Sequence, residues 1–180
     1  MPIFQPELAE KAAGELLTQF PNNTEISHVL LKALALNKLY STRVLDKDIE
    51  RLARHIAGLC IDPLLRKGRP GAVDLIWNCD DLNRRYFSFA SKYCSWHNPA
   101  AYPIYDSYVE ECLWRYKRQD GFTEYGREGY RYPDFVRIVS AFRQFYGLTV
   151  SFKDLDKFLW STGGRLLGKR SSVNRATRRA

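Results

Sequence analysis

Two residues of this 180-residue chain have the type and placement to do chemistry, Lys92 and Asp106. Lys92 lies in Arg84-Arg85-Tyr86-Phe87-Ser88-Phe89-Ala90-Ser91-Lys92-Tyr93-Cys94-Ser95-Trp96, one helical turn after Ser88 and on the same face. The small residues Ser88, Ala90, Ser91 and Ser95 permit close approach, either of another helix or of a ligand. Asp106 follows Tyr102-Pro103-Ile104-Tyr105, a step that its proline keeps extended. A lysine helix, a proline-containing link and an aspartate at a helix start would set one cation and one carboxylate near a common mouth. Each residue also has a plain structural reading: Asp106 is a good N-cap, and Lys92 suits a solvated helix face.

The elements that must position these residues read as helices. Pro6 opens a first helix, Glu7 to Phe20, with Leu8, Ala12, Leu16 and Leu17 on one side. Thr24 is placed to cap a second, to about Tyr40, in which Ile26, Val29, Leu30, Ala33, Leu34 and Leu36 recur at helical spacing. A third starts at Asp46 or Asp48 and buries Ile49, Leu52, Ala53 and Ile56. Residues 63–71 (PLLRKGRPG) read as a basic loop and residues 72–79 as a short apolar helix. The lysine helix runs from Tyr86 to about Trp96, and His97-Asn98-Pro99 stops it. Asp106 caps the next, to about Tyr116. After the glycine- and tyrosine-rich loop 121–133, residues 134–146 form a helix with Phe135, Ile138, Val139, Phe142 and Phe145 inside, and Gly147 ends it. A last helix spans residues 151–160, before Gly163-Gly164. The pattern predicts an all-α fold in one domain, residues 1–164, with a basic tail over 165–180.

Composition narrows the functional classes. Hydrophobic residues make up 45% of the chain, enough for a continuous core and against wholesale disorder. No apolar run approaches the roughly 20 residues that span a membrane. The first residues show no basic region followed by an apolar stretch, so the expectation is a cytoplasmic protein without a membrane partner. Cys60, Cys79, Cys94 and Cys112 are scattered and contain no C-x-x-C pair. Cys94 and His97 have a spacing compatible with a metal, but no second pair joins them, so no metal and no cofactor is expected. A net charge of +8 with 14% aromatic residues suits a polyanion, because cations neutralise phosphates and rings stack on bases.

The step Ala90 to Pro103-Ile104-Tyr105-Asp106 resembles the helix-hairpin-helix superfamily of DNA glycosylases, in particular its 8-oxoguanine-glycosylase-like members. In that pattern an alanine-bearing helix, a turn, a Pro-Val-Asp-like step and a following helix occur at about this separation. Leu34-Ala35-Leu36-Asn37-Lys38-Leu39-Tyr40-Ser41-Thr42 resembles the helix end and polar turn that enter the groove of those enzymes. The resemblance spans roughly residues 24–160, with its sharp part at Ser88 to Tyr108. Two features depart from the family. Residues 81–87 (DLNRRYF) hold no glycine where the family has its phosphate-gripping hairpin, so Arg84 and Arg85 would grip phosphate by charge. The family's Schiff-base lysine falls at Ser88, and Lys92 is one turn later.

The resemblance therefore implies a compact multi-helix fold with a groove between two helical lobes and a monofunctional glycosylase acting on a flipped base in double-stranded DNA. The protein would be a monomer serving DNA repair or defence against phages with modified DNA. Asp106 would stabilise the charge that develops on the sugar and direct a water, with Lys92 beside it. Ser88, Trp96, Tyr102, Tyr105 and Tyr108 would line the base pocket. Asn37, Thr42, Arg84, Arg85, Lys169 and Arg170 would contact DNA. Two other classes remain open on this reading, a non-catalytic nucleic-acid-binding module and a helical protein-interaction subunit.

Overall fold

The computed structural model describes residues 6–82, 84–127 and 131–166, and all regular structure among them is helical. The helices are α1 (Pro6–Gln19), α2 (Ile26–Tyr40), α3 (Asp46–Gly58), α4 (Asp62–Arg66), α5 (Gly71–Trp77), α6 (Phe87–His97), α7 (Ser107–Asp120), α8 (Tyr132–Phe145) and α9 (Phe152–Leu166). The chain packs as two compact units that divide between Tyr102 and Pro103. The single domain read over residues 1–164 thus comprises two units, with α1 to α6 in the first and α7 to α9 in the second. The tail, including Lys169 and Arg170, lies outside the described residues.

In the first unit α2 packs against α1, α3 and α6, while α5 lies along α6. The periodicity of α3 is realised as read, with Ile49, Leu52, Ala53 and Ile56 buried. α3 packs on α2, whose Val29, Ala33 and Leu36 are also buried, and Ile76, Phe89 and Ala90 add to the core. Each large apolar side chain enclosed in this way contributes roughly 1.5–3 kcal/mol.

The stripe of α1 is shifted. Leu8 is exposed at 63% and Ala12 is exposed, whereas Ala13 is buried. Ile26 and Leu34 of α2 are likewise exposed. The cap read at Thr24 is not formed: Glu25 occupies the N-cap position and makes no side-chain capping bond.

The place on the inner face of α2 that the apolar pattern left unassigned belongs to Lys32, which has no exposure. Its ammonium donates to Phe20 O at 3.1 Å, Asn22 O at 2.9 Å and Asn23 Oδ1 at 2.6 Å, which uses its three protons. Asn23 Nδ2 in turn donates to Asp62 Oδ1 at 2.6 Å, and the Tyr93 hydroxyl donates to Asn23 Oδ1 at 2.5 Å. The link between α1 and α2 is thereby tied to α4 and α6. Burial outweighs the attraction of Asp62 and lowers the Lys32 pKa to about 8.

In the second unit α7 and α9 form the main helix pair. Val109, Cys112 and Leu113 of α7 and Leu155 and Leu159 of α9 are buried. α8 meets α7 through rings: Tyr116 stands edge-on to Phe142 and Tyr146. Phe145, read as part of the inner stripe, is 52% exposed and touches the Phe122 ring at the edge of the unit. Gly147, at φ 62°, receives the chain where Leu148 N donates to Arg143 O at 2.8 Å, a helix stop that favours glycine.

α9 does not end near Trp160 but continues through Gly163-Gly164 to Leu166. The reason is a close approach. A Cβ on Gly163 would lie 2.2 Å from the Tyr108 carbonyl oxygen, so only glycine lets the α9 backbone rest against the first turn of α7. The basic loop read over 63–71 is also partly helical, since α4 takes up Asp62–Arg66 and α5 begins at Gly71.

Candidate functional site

Asp106 sits at the N-cap of α7, with extended backbone (φ −146°, ψ 150°), and its Oδ1 accepts from Tyr108 N at 3.0 Å. The preceding step is fixed from its own unit: Pro103 O accepts from the buried Tyr132 hydroxyl at 2.7 Å. Tyr105 meets Phe135 edge-on at 5.3 Å. The aspartate is thus held by a helix start behind it and by a pinned backbone before it.

Tyr108 is half-buried and meets the indole of Trp160 edge-on, at 5.9 Å and 80°. Trp160 is 52% exposed. Reading the sequence missed this residue, because an aromatic in an amphipathic helix reads as core. The available signal was the pair Gly163-Gly164 one turn later, which marks a close helix crossing as readily as a helix end. The second unit therefore places a carboxylate, a phenol and an exposed indole around one helix start.

Lys92 belongs to the first unit, on α6. It is 6% exposed, and its Nζ donates to Ser88 Oγ at 2.8 Å. The spacing that put Ser88 and Lys92 on one face is realised, and Ser91 and Ser95 are buried on the same helix. A solvated lysine on an open face does not describe this residue. Trp96 meets Tyr40 of α2 edge-on at 5.8 Å.

Tyr102, expected to line a base pocket, has no exposure, and its hydroxyl is shared between Leu64 O and Arg69 O at 3.0 Å each. It braces the turn after α4 and presents no ring face to a ligand. Asn37 and Thr42 are engaged with each other. Asn37 Oδ1 accepts from Thr42 Oγ1 at 2.8 Å and from Val44 N at 3.0 Å, and Asn37 Nδ2 donates to Val44 O at 3.0 Å. These two side chains build the α2–α3 turn. What the turn exposes is Ser41 and Arg43, both at positive φ (47° and 60°), a conformation costing roughly 1 kcal/mol or more for residues with a Cβ.

Arg84 and Arg85 are exposed just before α6, and the Arg85 guanidinium lies over the Trp77 ring at 5.0 Å. Tyr86, next to them, donates to Asp48 Oδ2 at 2.5 Å and accepts from Leu45 N at 3.4 Å. The arginine pair is thereby anchored to the start of α3.

A shallow concavity of about 550 Å³ on α7 is lined by Glu111, Trp114, Arg115, Arg118, Gln119 and Arg127. Its arginines are largely spent within it. Arg127 binds both oxygens of Glu110 at 2.9 Å and one of Glu111, and Arg115 binds Glu111. The hydrogen bond from Arg115 holds the Glu111 carboxyl below the usual range.

The four cysteines are free thiols, with only Cys60 exposed. Burial pushes the Cys112 thiol up to about 11 and also raises the Cys94 thiol well above its ordinary value. Among the described residues no group of three His, Cys, Asp or Glu side chains is arranged to hold a metal ion. No described helix is long and apolar enough to cross a membrane.

A family model, HI_0787_N, described as an N-terminal domain, matches residues 5–101. The chain belongs to this family. The matched stretch ends one residue before the boundary of the first packing unit, so the family's domain and the α1–α6 unit are the same object. A Haemophilus influenzae relative, described as an uncharacterized protein, is 33% identical over 175 residues, covering 93% of this chain and 83% of its own length. That similarity extends through the α7–α9 unit as well. No solved structure matches.

Proposed function

We propose that the chain is a monomeric, monofunctional DNA glycosylase that hydrolyses the N-glycosidic bond of a damaged or modified base flipped from duplex DNA. The glycosylase-like fold with its DNA groove belongs to the same proposal. The observation that carries it is the α7 start, where Asp106 caps the helix and Tyr108 joins it to the exposed indole of Trp160. A carboxylate beside an aromatic platform is what excision of a planar base requires.

In this reading the flipped base stacks on Trp160, at a gain of about 1–3 kcal/mol for one base. The C1′–N bond breaks, its electron pair leaves with the base, and the sugar becomes oxocarbenium-like. The Asp106 carboxylate faces that developing charge and takes the proton of the water that attacks C1′. A second proton, from solvent, neutralises the departing base, so the products are a free base and an abasic site. Lys92, held by Ser88 within the first unit, is not the nucleophile in this reading. Arg84, Arg85 and the basic tail would supply phosphate contacts. Cytoplasmic location and a role in repair or defence belong to this proposal too.

The test is incubation of the protein with a panel of duplex oligonucleotides carrying oxidised, alkylated, deaminated or hypermodified bases, scored for abasic sites. Asp106→Asn keeps the capping oxygen and should lower excision by at least about 100-fold. Asn without effect on an active substrate, or no abasic product on any substrate, would leave a binding module instead.

A further inference from the structure

We propose that the turn between α4 and α5 is a preorganised phosphate-binding site for duplex DNA, formed by Arg66, Lys67 and Arg69. Charge is the first reason. All three side chains are exposed, and none makes an ion pair among the described residues. The acids on either side are turned inward: Asp62 accepts from Asn23, and the buried Asp74 accepts from Trp77 Nε1 at 2.9 Å. Three cations within four residues are left without local compensation.

The turn that carries them is rigid. Arg69 N donates to Leu64 O at 2.9 Å and Gly68 N to Leu65 O at 3.1 Å, the paired bonds of a helix stop closed by a left-handed glycine. Gly68 has φ 62°, and a Cβ there would lie 2.5 Å from Ala101 Cβ. From the other side, the fully buried Tyr102 hydroxyl serves the Leu64 and Arg69 carbonyls, and Asn98 Nδ2 donates to Leu65 O at 3.1 Å. A buried tyrosine and an asparagine thus fix the backbone of an exposed basic turn. A rigid turn lowers the ordering cost of binding, and guanidinium groups match phosphate oxygens in pairs.

The chemistry of the turn selects among polyanions. Leu65 is 2% exposed and Leu64 half-buried, so the turn lacks the large exposed apolar side chains that insert into a lipid surface. A hydrated phosphodiester backbone needs no such anchor. The choice of duplex DNA rests on the glycosylase reading; the site itself rests on the turn.

The test is fluorescence anisotropy of a labelled 20-base-pair duplex titrated with the full chain from about 50 to 300 mM NaCl. The triple variant Arg66→Gln/Lys67→Gln/Arg69→Gln should flatten the slope of log K against log salt by about 2–3, at roughly 0.9 for each phosphate no longer neutralised. It should weaken binding at least about tenfold at 100 mM salt. A control triple, Lys11→Gln/Arg54→Gln/Lys157→Gln, removes the same charge from scattered exposed positions and should change the slope by less than 1. Gly68→Ala removes no charge, yet should weaken binding several-fold by displacing the turn from Ala101.

Absence of duplex binding by the parent overturns the proposal, as do equal effects of the two triples. An equal loss of binding to vesicles of phosphatidylcholine and phosphatidylserine would assign the turn to a membrane and overturn it too. Excision measured at saturating protein separates this site from the reaction. Asp106→Asn should lose excision and keep the parent's salt slope, so failure of the reaction and failure of this site are told apart.

Discussion

His97 gives the first unit a definite response to acid. It ends α6, with its ring tilted against Tyr93 at 5.2 Å. Its Nε2 is buried and has no hydrogen-bond partner among the described residues. Burial lowers its pKa from 6.5 to about 4; the Lys32 cation acts in the same direction, and Asp62 opposes both. Between pH 6.5 and 4 the unfolded chain binds a proton here and the folded chain does not. Stability is therefore complete above pH 6.5 and is lost as pH falls through this window, with no further loss from this group below about 4.

Moving from pH 7 to pH 5 should remove on the order of 2 kcal/mol, since each pH unit inside the window is worth about 1.4 kcal/mol. For a unit of this size that lowers the urea midpoint by roughly 1–2 M. Urea titrations at pH 7 and pH 5, followed by circular dichroism, measure the change. Proton NMR of the ring, assigned by comparison with His97→Gln, gives its pKa directly. His97→Gln should lose most of the pH dependence. A ring titrating near 6.5, or a variant as acid-sensitive as the parent, would rule out this linkage.

Three other outcomes are expected. Lys32→Met should destabilise the first unit by about 2–4 kcal/mol, because the Phe20 and Asn22 carbonyls lose their donor and Asn23 Oδ1 keeps only the Tyr93 hydroxyl; Lys32→Arg should not restore it, and denaturant unfolding reads both. Gly163→Val should cost at least about 2 kcal/mol or part α9 from α7, since the added carbon falls on the Tyr108 carbonyl; thermal unfolding and the near-ultraviolet signal of Trp160 report it. Trp160→Ala should change stability by less than about 1 kcal/mol, given its exposure, but lower excision at least tenfold; unchanged excision would remove the stacking role.

Much of the helical layout is legible in the residues because the apolar spacing is strict where a helix packs along its whole length. α3 shows this, with Ile49, Leu52, Ala53 and Ile56 inside as spaced. Asp106 is legible for a different reason: proline fixes the step before it and an aspartate is a preferred N-cap, so local chemistry suffices. Where tertiary contacts decide, local chemistry misleads. Lys32 is buried because Phe20, Asn22 and Asn23 return to meet it, and no spacing rule announces that. Gly163-Gly164 reads as a helix end until the carbonyl of Tyr108 is seen against it. Tyr102 and Asn37 carry polar groups that read as candidates for ligand contact, but each satisfies neighbouring backbone. Arg66, Lys67 and Arg69 are visible as a basic run, whereas the rigidity that makes them a candidate site comes from Tyr102 and Asn98, some 30 residues away in the chain.

The proposed reaction stands or falls on whether Asp106 is a catalytic carboxylate and not only a helix cap. The direct measurement is single-turnover excision by the parent and by Asp106→Asn, on the first duplex substrate found to yield abasic sites, once both proteins are seen to unfold at the same temperature. The variant should be at least about 100-fold slower with its DNA affinity unchanged. Equal rates at equal stability would contradict the catalytic role and leave Asp106 as a cap alone.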